Sequence, residues 1–126
     1  MPAYVRLRIV AEISRDAAHT QRMLAEDVTD TLLIPTGVVS GGPVHELANL
    51  ANVNHDLPSG NVPEFVYFRP LDADLLFRVS GGAAQTITVP LGRPLILFAN
   101  QISGDDINID NQSGAAARYL LYLAGD

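Results

Sequence analysis

Hydrophobic and polar residues alternate with period two along much of this chain. From Tyr4 to Ser14, Val5, Leu7, Ile9, Ala11 and Ile13 fall on one side, with Arg6, Arg8 and Glu12 on the other. That alternation predicts a strand with one face toward a core and one in water, and only Val10 interrupts its polar face. Residues 15–30 are ambiguous. Ser14 or Asp16 can cap a helix over about 16–27, where Ala, Gln, Arg, Met, Leu and Glu are good helix formers. The apolar stripe of Ala17, Gln21, Leu24 and Val28 is thin, however. The rival is extended chain near His19–Leu24 and again over Thr29–Ile34, where Thr29, Thr31, Leu33 and Ile34 favour strands.

Pro35, Gly37, Gly41, Gly42, Pro43, Pro58, Gly60 and Pro63 make the 35–63 stretch read as loop. Within it, 44–53 could form a short helix with Leu47, Leu50 and Val53 facing inward. A connection of that length is uncommon unless it has a job or is pinned by a neighbour. The second half is more legible. Strands are predicted at Phe65–Arg69, Leu75–Val79, Gln85–Val89, Leu95–Ala99, around Ile107–Asp110 and at Ala117–Ala124. Pro70, Gly81-Gly82, Pro90-Leu91-Gly92 and Asn111-Gln112-Ser113-Gly114 punctuate them. This spacing predicts one all-β domain over residues 1–126, an antiparallel β-sandwich or jelly-roll-like fold with at most one or two short helices, at about 16–27 and 44–53.

Two strands depart from clean alternation. Tyr119, Leu121 and Leu123 fill one face of the last strand, while Leu120 and Tyr122 are apolar on the other; Leu95–Phe98 is apolar on both. A strand apolar on both faces needs a second cover, either the 35–63 stretch or a partner subunit. The second is favoured in so small a domain, and aromatic residues are enriched in interface cores. Arg6, Arg8, Leu95, Leu97, Tyr119, Leu120 and Tyr122 are therefore the candidate interface residues.

Composition narrows the function classes. All eight cationic residues are Arg against fourteen carboxylates, for a net charge of −6, which disfavours sequence-independent nucleic-acid binding. The chain has no Cys, so thiol catalysis, disulfides and thiolate metal sites are excluded. No apolar run approaches the ~20 residues of a membrane-spanning helix, and MPAYVRLRIV lacks a signal-peptide pattern.

Candidate chemistry is sparse. His45 and His55 each adjoin a carboxylate, Glu46 and Asp56, and His19 stands apart. A His pair with a carboxylate can bind iron or zinc in a cupin-type barrel, but ten residues of spacing within a Pro/Gly-rich stretch favours ordinary loop histidines. Asp105, Asp106, Asn108 and Asp110 could surround calcium, yet Ile107 and Ile109 interleave them and the EF-hand spacing is absent. Asp72 and Asp74 read as turn residues. No Ser sits in a nucleophile elbow, no Gly-rich run forms a phosphate loop, and no Trp offers a sugar platform. No catalytic, cofactor or metal residue is assigned.

The run from Glu64-Phe65-Val66-Tyr67-Phe68-Arg69-Pro70 through Leu91-Gly92-Arg93-Pro94-Leu95 to Asn111–Ala115 and Tyr119–Ala124 resembles the small β-sandwich structural proteins of tailed bacteriophages, of the capsid decoration or cement type or small head-tail and tail components. The resemblance covers about half the chain and rests on texture, with no motif residue to carry over. It implies a non-enzymatic protein on the exterior of a virion, made in the host bacterial cytoplasm. There it would form a homo-oligomer and bind the major capsid protein, without contacting nucleic acid or membrane. The alternatives from other classes are a cupin-like small metal-dependent enzyme using His45, His55 and a carboxylate, and a calcium-dependent sugar-binding module at Asp105–Asp110.

Overall fold

A computed structural model describes residues 1–18, 20, 22–34, 39–41, 44–55, 57, 63–80, 85–98 and 106–125. The strands, in chain order, are β1 (Ala3–Ser14), β2 (Arg22–Ile34), β3 (Val39–Gly41), β4 (His45–Leu47), β5 (Asn52–His55), β6 (Pro63–Pro70), β7 (Leu75–Ser80), β8 (Gln85–Val89), β9 (Leu95–Phe98), β10 (Asp106–Asp110) and β11 (Ala117–Gly125). Every pairing is antiparallel. One sheet has the order β5-β10-β7-β8 and a second β3-β11-β6-β9, with β4 also on β11, while β1 and β2 form a separate two-stranded hairpin. The all-β antiparallel sandwich is as the alternation predicts.

The two large sheets enclose the core. Alternation on β7 and β10 turns Leu75, Phe77, Ile107 and Ile109 inward, against Val66 and Phe68 of β6 and Ala117, Tyr119, Leu121 and Leu123 of β11. Phe68 lies at the centre, with ring centroids 5.6 Å from both Phe77 and Tyr119. The partial burial of Leu95 and Leu97 extends this core toward the β9 edge.

Neither anticipated helix forms among the described residues. Arg22–Asp27 belong to β2, which pairs with β1 from Ala3↔Ile34 to Ile13↔Leu24 and, past a register shift, at Ser14↔Arg22. The thin helical stripe there cannot compete with a ready-made partner strand of matching alternation. In 44–53, two strands flank a turn at Asn49–Leu50. The helical reading needed Leu47 and Leu50 on one face, but Leu47 is buried and Leu50 is 69 % exposed at φ 61°. The turn is tied down by backbone bonds: Leu50 N–H donates to Asn111 O (2.8 Å), and Asn111 N–H to Ala51 O (3.0 Å). The stretch expected to be loop therefore contributes three short strands, two of them pairing with β11.

The strands apolar on both faces now have a place. Registers Tyr122↔Tyr67↔Ile96 and Ala124↔Phe65↔Phe98 put an aromatic surface on the outer side of the β11-β6-β9 sheet. Tyr67 and Tyr122 lie 6.3 Å apart there, as do Phe65 and Phe98, and Tyr122 remains 40 % exposed.

Candidate functional site

Three strands converge on a histidine–tyrosine cluster. On β4, His45 shares its side with buried Leu47, so it turns inward while Glu46 turns out opposite Arg118. On β5, His55 lies on the same side as Val53 and pairs with inward-facing Ile107. Tyr119 sits between His45 of β4 and Pro70 of β6 in the register of β11. Residues ten and sixty-four apart in sequence are thereby neighbours.

The cluster is compact. The His55 Nε2 lies 2.7 Å from the Tyr119 hydroxyl. The His45 ring stacks on Tyr119 at 5.3 Å and 19°, and meets His55 edge-on at 4.9 Å. Tyr119 is 1 % exposed, whereas both histidines are half-buried. Burial pushes the Tyr119 pKa up to about 12, so its phenol stays protonated. Burial, followed by repulsion from His45, holds His55 below the ordinary histidine value. Near neutral pH His55 is thus an uncharged imidazole, the form that either accepts a proton or ligates a metal.

Asn111 fixes this geometry from behind. Fully buried, it donates through Nδ2 to Leu47 O (2.9 Å) and Ala115 O (2.8 Å), while its Oδ1 accepts from Ser113 N–H (3.0 Å). It joins the end of β4 to the turn entering β11, the two elements that carry His45 and Tyr119. Arg118 and Asp72 clamp the next strand connection. The Arg118 backbone N–H and Nε both donate to Asp72 Oδ2, and Nη2 donates to Oδ1. These bonds hold the Asp72 carboxyl at about 2, well below the usual carboxylate range.

The other sequence candidates are scattered. Glu46 faces away from the histidines, and Asp56 and His19 lie outside the described residues. No group of three or more His, Cys, Asp or Glu side chains placed to hold a metal occurs among the described residues. In the proposed calcium run, Asp105 lies outside them. Asp110 pairs with Arg78 at 3.0 Å and accepts from Gln112, while Asn108 donates to Asn52 and Asn54. A calcium ion would have to displace those partners.

Of the interface candidates, Tyr119 is inside the core and Leu95 and Leu97 pack against it. Leu120 and Tyr122 lie on the outer face, Arg6 is exposed, and Arg8 is paired with Asp27 at 2.8 Å. Sequence reasoning assigned Tyr119 to packing or an interface and missed its bond to His55. The available signal was the period-two pattern His45-Glu46-Leu47, which turns His45 inward if that segment is a strand.

No family model matches the chain, and no curated protein matches it. Among solved structures, it is similar to the crystal structure of a protein designated ethanolamine utilization protein Q from Salmonella typhimurium LT2. The two are 12 % identical with a TM-score of 0.41, over 96 % of this chain and 97 % of that one. The expected resemblance to bacteriophage structural proteins is corrected by this finding: the neighbour is a bacterial protein named for ethanolamine utilization, not a capsid or tail component. The capsid-decoration function rested on that resemblance and falls with it. Its physical error was to treat short strands and Ala/Gly/Asn turns as a family mark, when any small antiparallel sandwich needs them.

Proposed function

We propose that this protein binds a divalent first-row transition metal ion through His45 and His55, with Tyr119 orienting the His55 ring. The observation that carries this reading is the meeting of two half-buried imidazoles, 4.9 Å apart, with one of them hydrogen-bonded to a buried phenol. Metal-bound imidazoles characteristically engage their second ring nitrogen with a neighbouring polar group, which fixes the tautomer and ring direction. Tyr119 supplies that group for His55, leaving one ring nitrogen for the ion. Two imidazoles suit zinc, nickel, cobalt or copper better than calcium or magnesium. Water or an exogenous ligand would complete the coordination. The site keeps the histidines of the cupin-like alternative and replaces its carboxylate by a tyrosine acting at one remove.

Isothermal titration with zinc and nickel tests the proposal. Stoichiometric binding is expected, lost in the His45→Ala/His55→Ala double variant and weakened about 10- to 100-fold in Tyr119→Phe. Absence of binding, or binding retained by the double variant, overturns it. Because protons compete for the same nitrogens, affinity falls as the pH drops below the histidine range.

A further inference from the structure

We infer that a second copy of this chain seats on the β1–β2 hairpin and on the aromatic groove at its root, each hairpin lying across its partner's groove. The strands of the hairpin have 12 and 13 residues, which makes it about 40 Å long. Cross-strand pairs Val5↔Leu32 and Ile9↔Val28 lie on one face with Leu7 and Ala11. Ile9 is 46 % and Val28 50 % exposed. A two-stranded ribbon is marginal by itself in water, and its apolar face needs a cover.

The surface offered for that cover is on the same molecule. Tyr4 and Val5, from the two faces of the hairpin's root, line a groove of about 440 Å³ with Phe65, Tyr67 and Tyr122 on the outer side of the β11-β6-β9 sheet. Charge is complementary as well. Asp30 and Glu26, opposite Leu7 and Ala11, sit on the apolar face of the hairpin, and exposed Arg69 shares the outer sheet face with Tyr67 and Phe65.

Hairpin and groove belong to the same chain, and the acidic residues of the one complement Arg69 beside the other, so a second copy supplies both halves of the contact. With hairpin and groove on one chain, reciprocal docking about a two-fold axis closes at two copies.

Light scattering on size-exclusion fractions of the full chain, with sedimentation for the Kd, is the test. A dimer of twice 13.5 kDa is expected. The Ile9→Glu/Val28→Glu variant should raise its Kd at least about tenfold, while the thermal transition of the sandwich, followed by circular dichroism, stays in place. Asp30→Arg should weaken the dimer, and Asp30→Arg/Arg69→Glu should restore it. A monomer at all concentrations overturns the inference, as does a dimer indifferent to the hairpin variant. A monomer that binds phospholipid vesicles through the hairpin would also overturn it, assigning the apolar face to a lipid surface.

Discussion

The sandwich and the hairpin are built from the same period-two alternation, yet only one of them is finished within a single chain. In the sandwich, Val66, Phe68, Phe77 and Ile109 find apolar partners on a facing sheet and are lost to solvent entirely. In the hairpin, Ile9, Val10, Ile13 and Val28 remain exposed, and the cross-strand Arg8–Asp27 pair is solvated, a kind of contact that contributes little. Alternation specifies which residues want cover. It does not specify where the cover comes from.

The contrast makes graded predictions. Phe68→Ala, at the centre of the sandwich, should cost about 3–5 kcal/mol in chemical denaturation; a cost below about 1 kcal/mol would mean that the sandwich is not the stable unit. Alkaline unfolding should follow Tyr119. Its folded pKa of about 12 lies above the ordinary tyrosine value of 10.0, so the stability it contributes is whole below pH 10 and lost as pH rises toward 12. At that size the effect is roughly 2–3 kcal/mol, and Tyr119→Phe should remove it from the alkaline limb of a stability–pH curve.

Asn111→Ala removes the donor to the buried Leu47 carbonyl and one of the two donors to Ala115 O, and should cost roughly 1–3 kcal/mol. It should also weaken metal binding, since β4 is no longer pinned. His55 acts at the acid end. Its folded pKa lies below the ordinary histidine value of 6.5, so the unfolded chain takes up the proton first and the melting temperature falls as pH drops through that value. His55→Phe should flatten this part of the curve. The smallest effect belongs to the hairpin. In the dissociated chain Ile9→Glu should change stability by less than about 0.5 kcal/mol, as for other exposed sites, and a larger cost would show that the hairpin packs on its own sandwich.

Much of the sandwich was legible in the sequence. Inward Phe77, Val79, Ile107 and Ile109 follow from alternation alone, and the turns at Pro90–Gly92 and Asn111–Gly114 follow from their residues. Residues 16–27 were not, because propensity favoured a helix and only pairing with β1 decides for a strand. The cluster was hidden for a related reason. His45 and His55 lie among Pro and Gly that look like loop, and their neighbour Tyr119 is brought to them by the pairing of β4 with β11, a long-range fact no local pattern carries. Their adjacent carboxylates were misleading, since in β4 a neighbour in sequence points to the opposite face. The two-faced character of β9 and β11 was read as a demand for further cover; Tyr119, Leu95 and Leu97 satisfy theirs inside the sandwich, while Tyr122 stays 40 % exposed.

Hydrogen exchange measured residue by residue at low and high protein concentration tests most directly whether the hairpin is completed by a second copy. The account predicts that amides from Leu7 to Ala11 gain protection as concentration rises, while those of Phe68, Phe77 and Ile109 stay fixed. Protection of the hairpin that is already strong in dilute solution and unchanged on concentrating would contradict it.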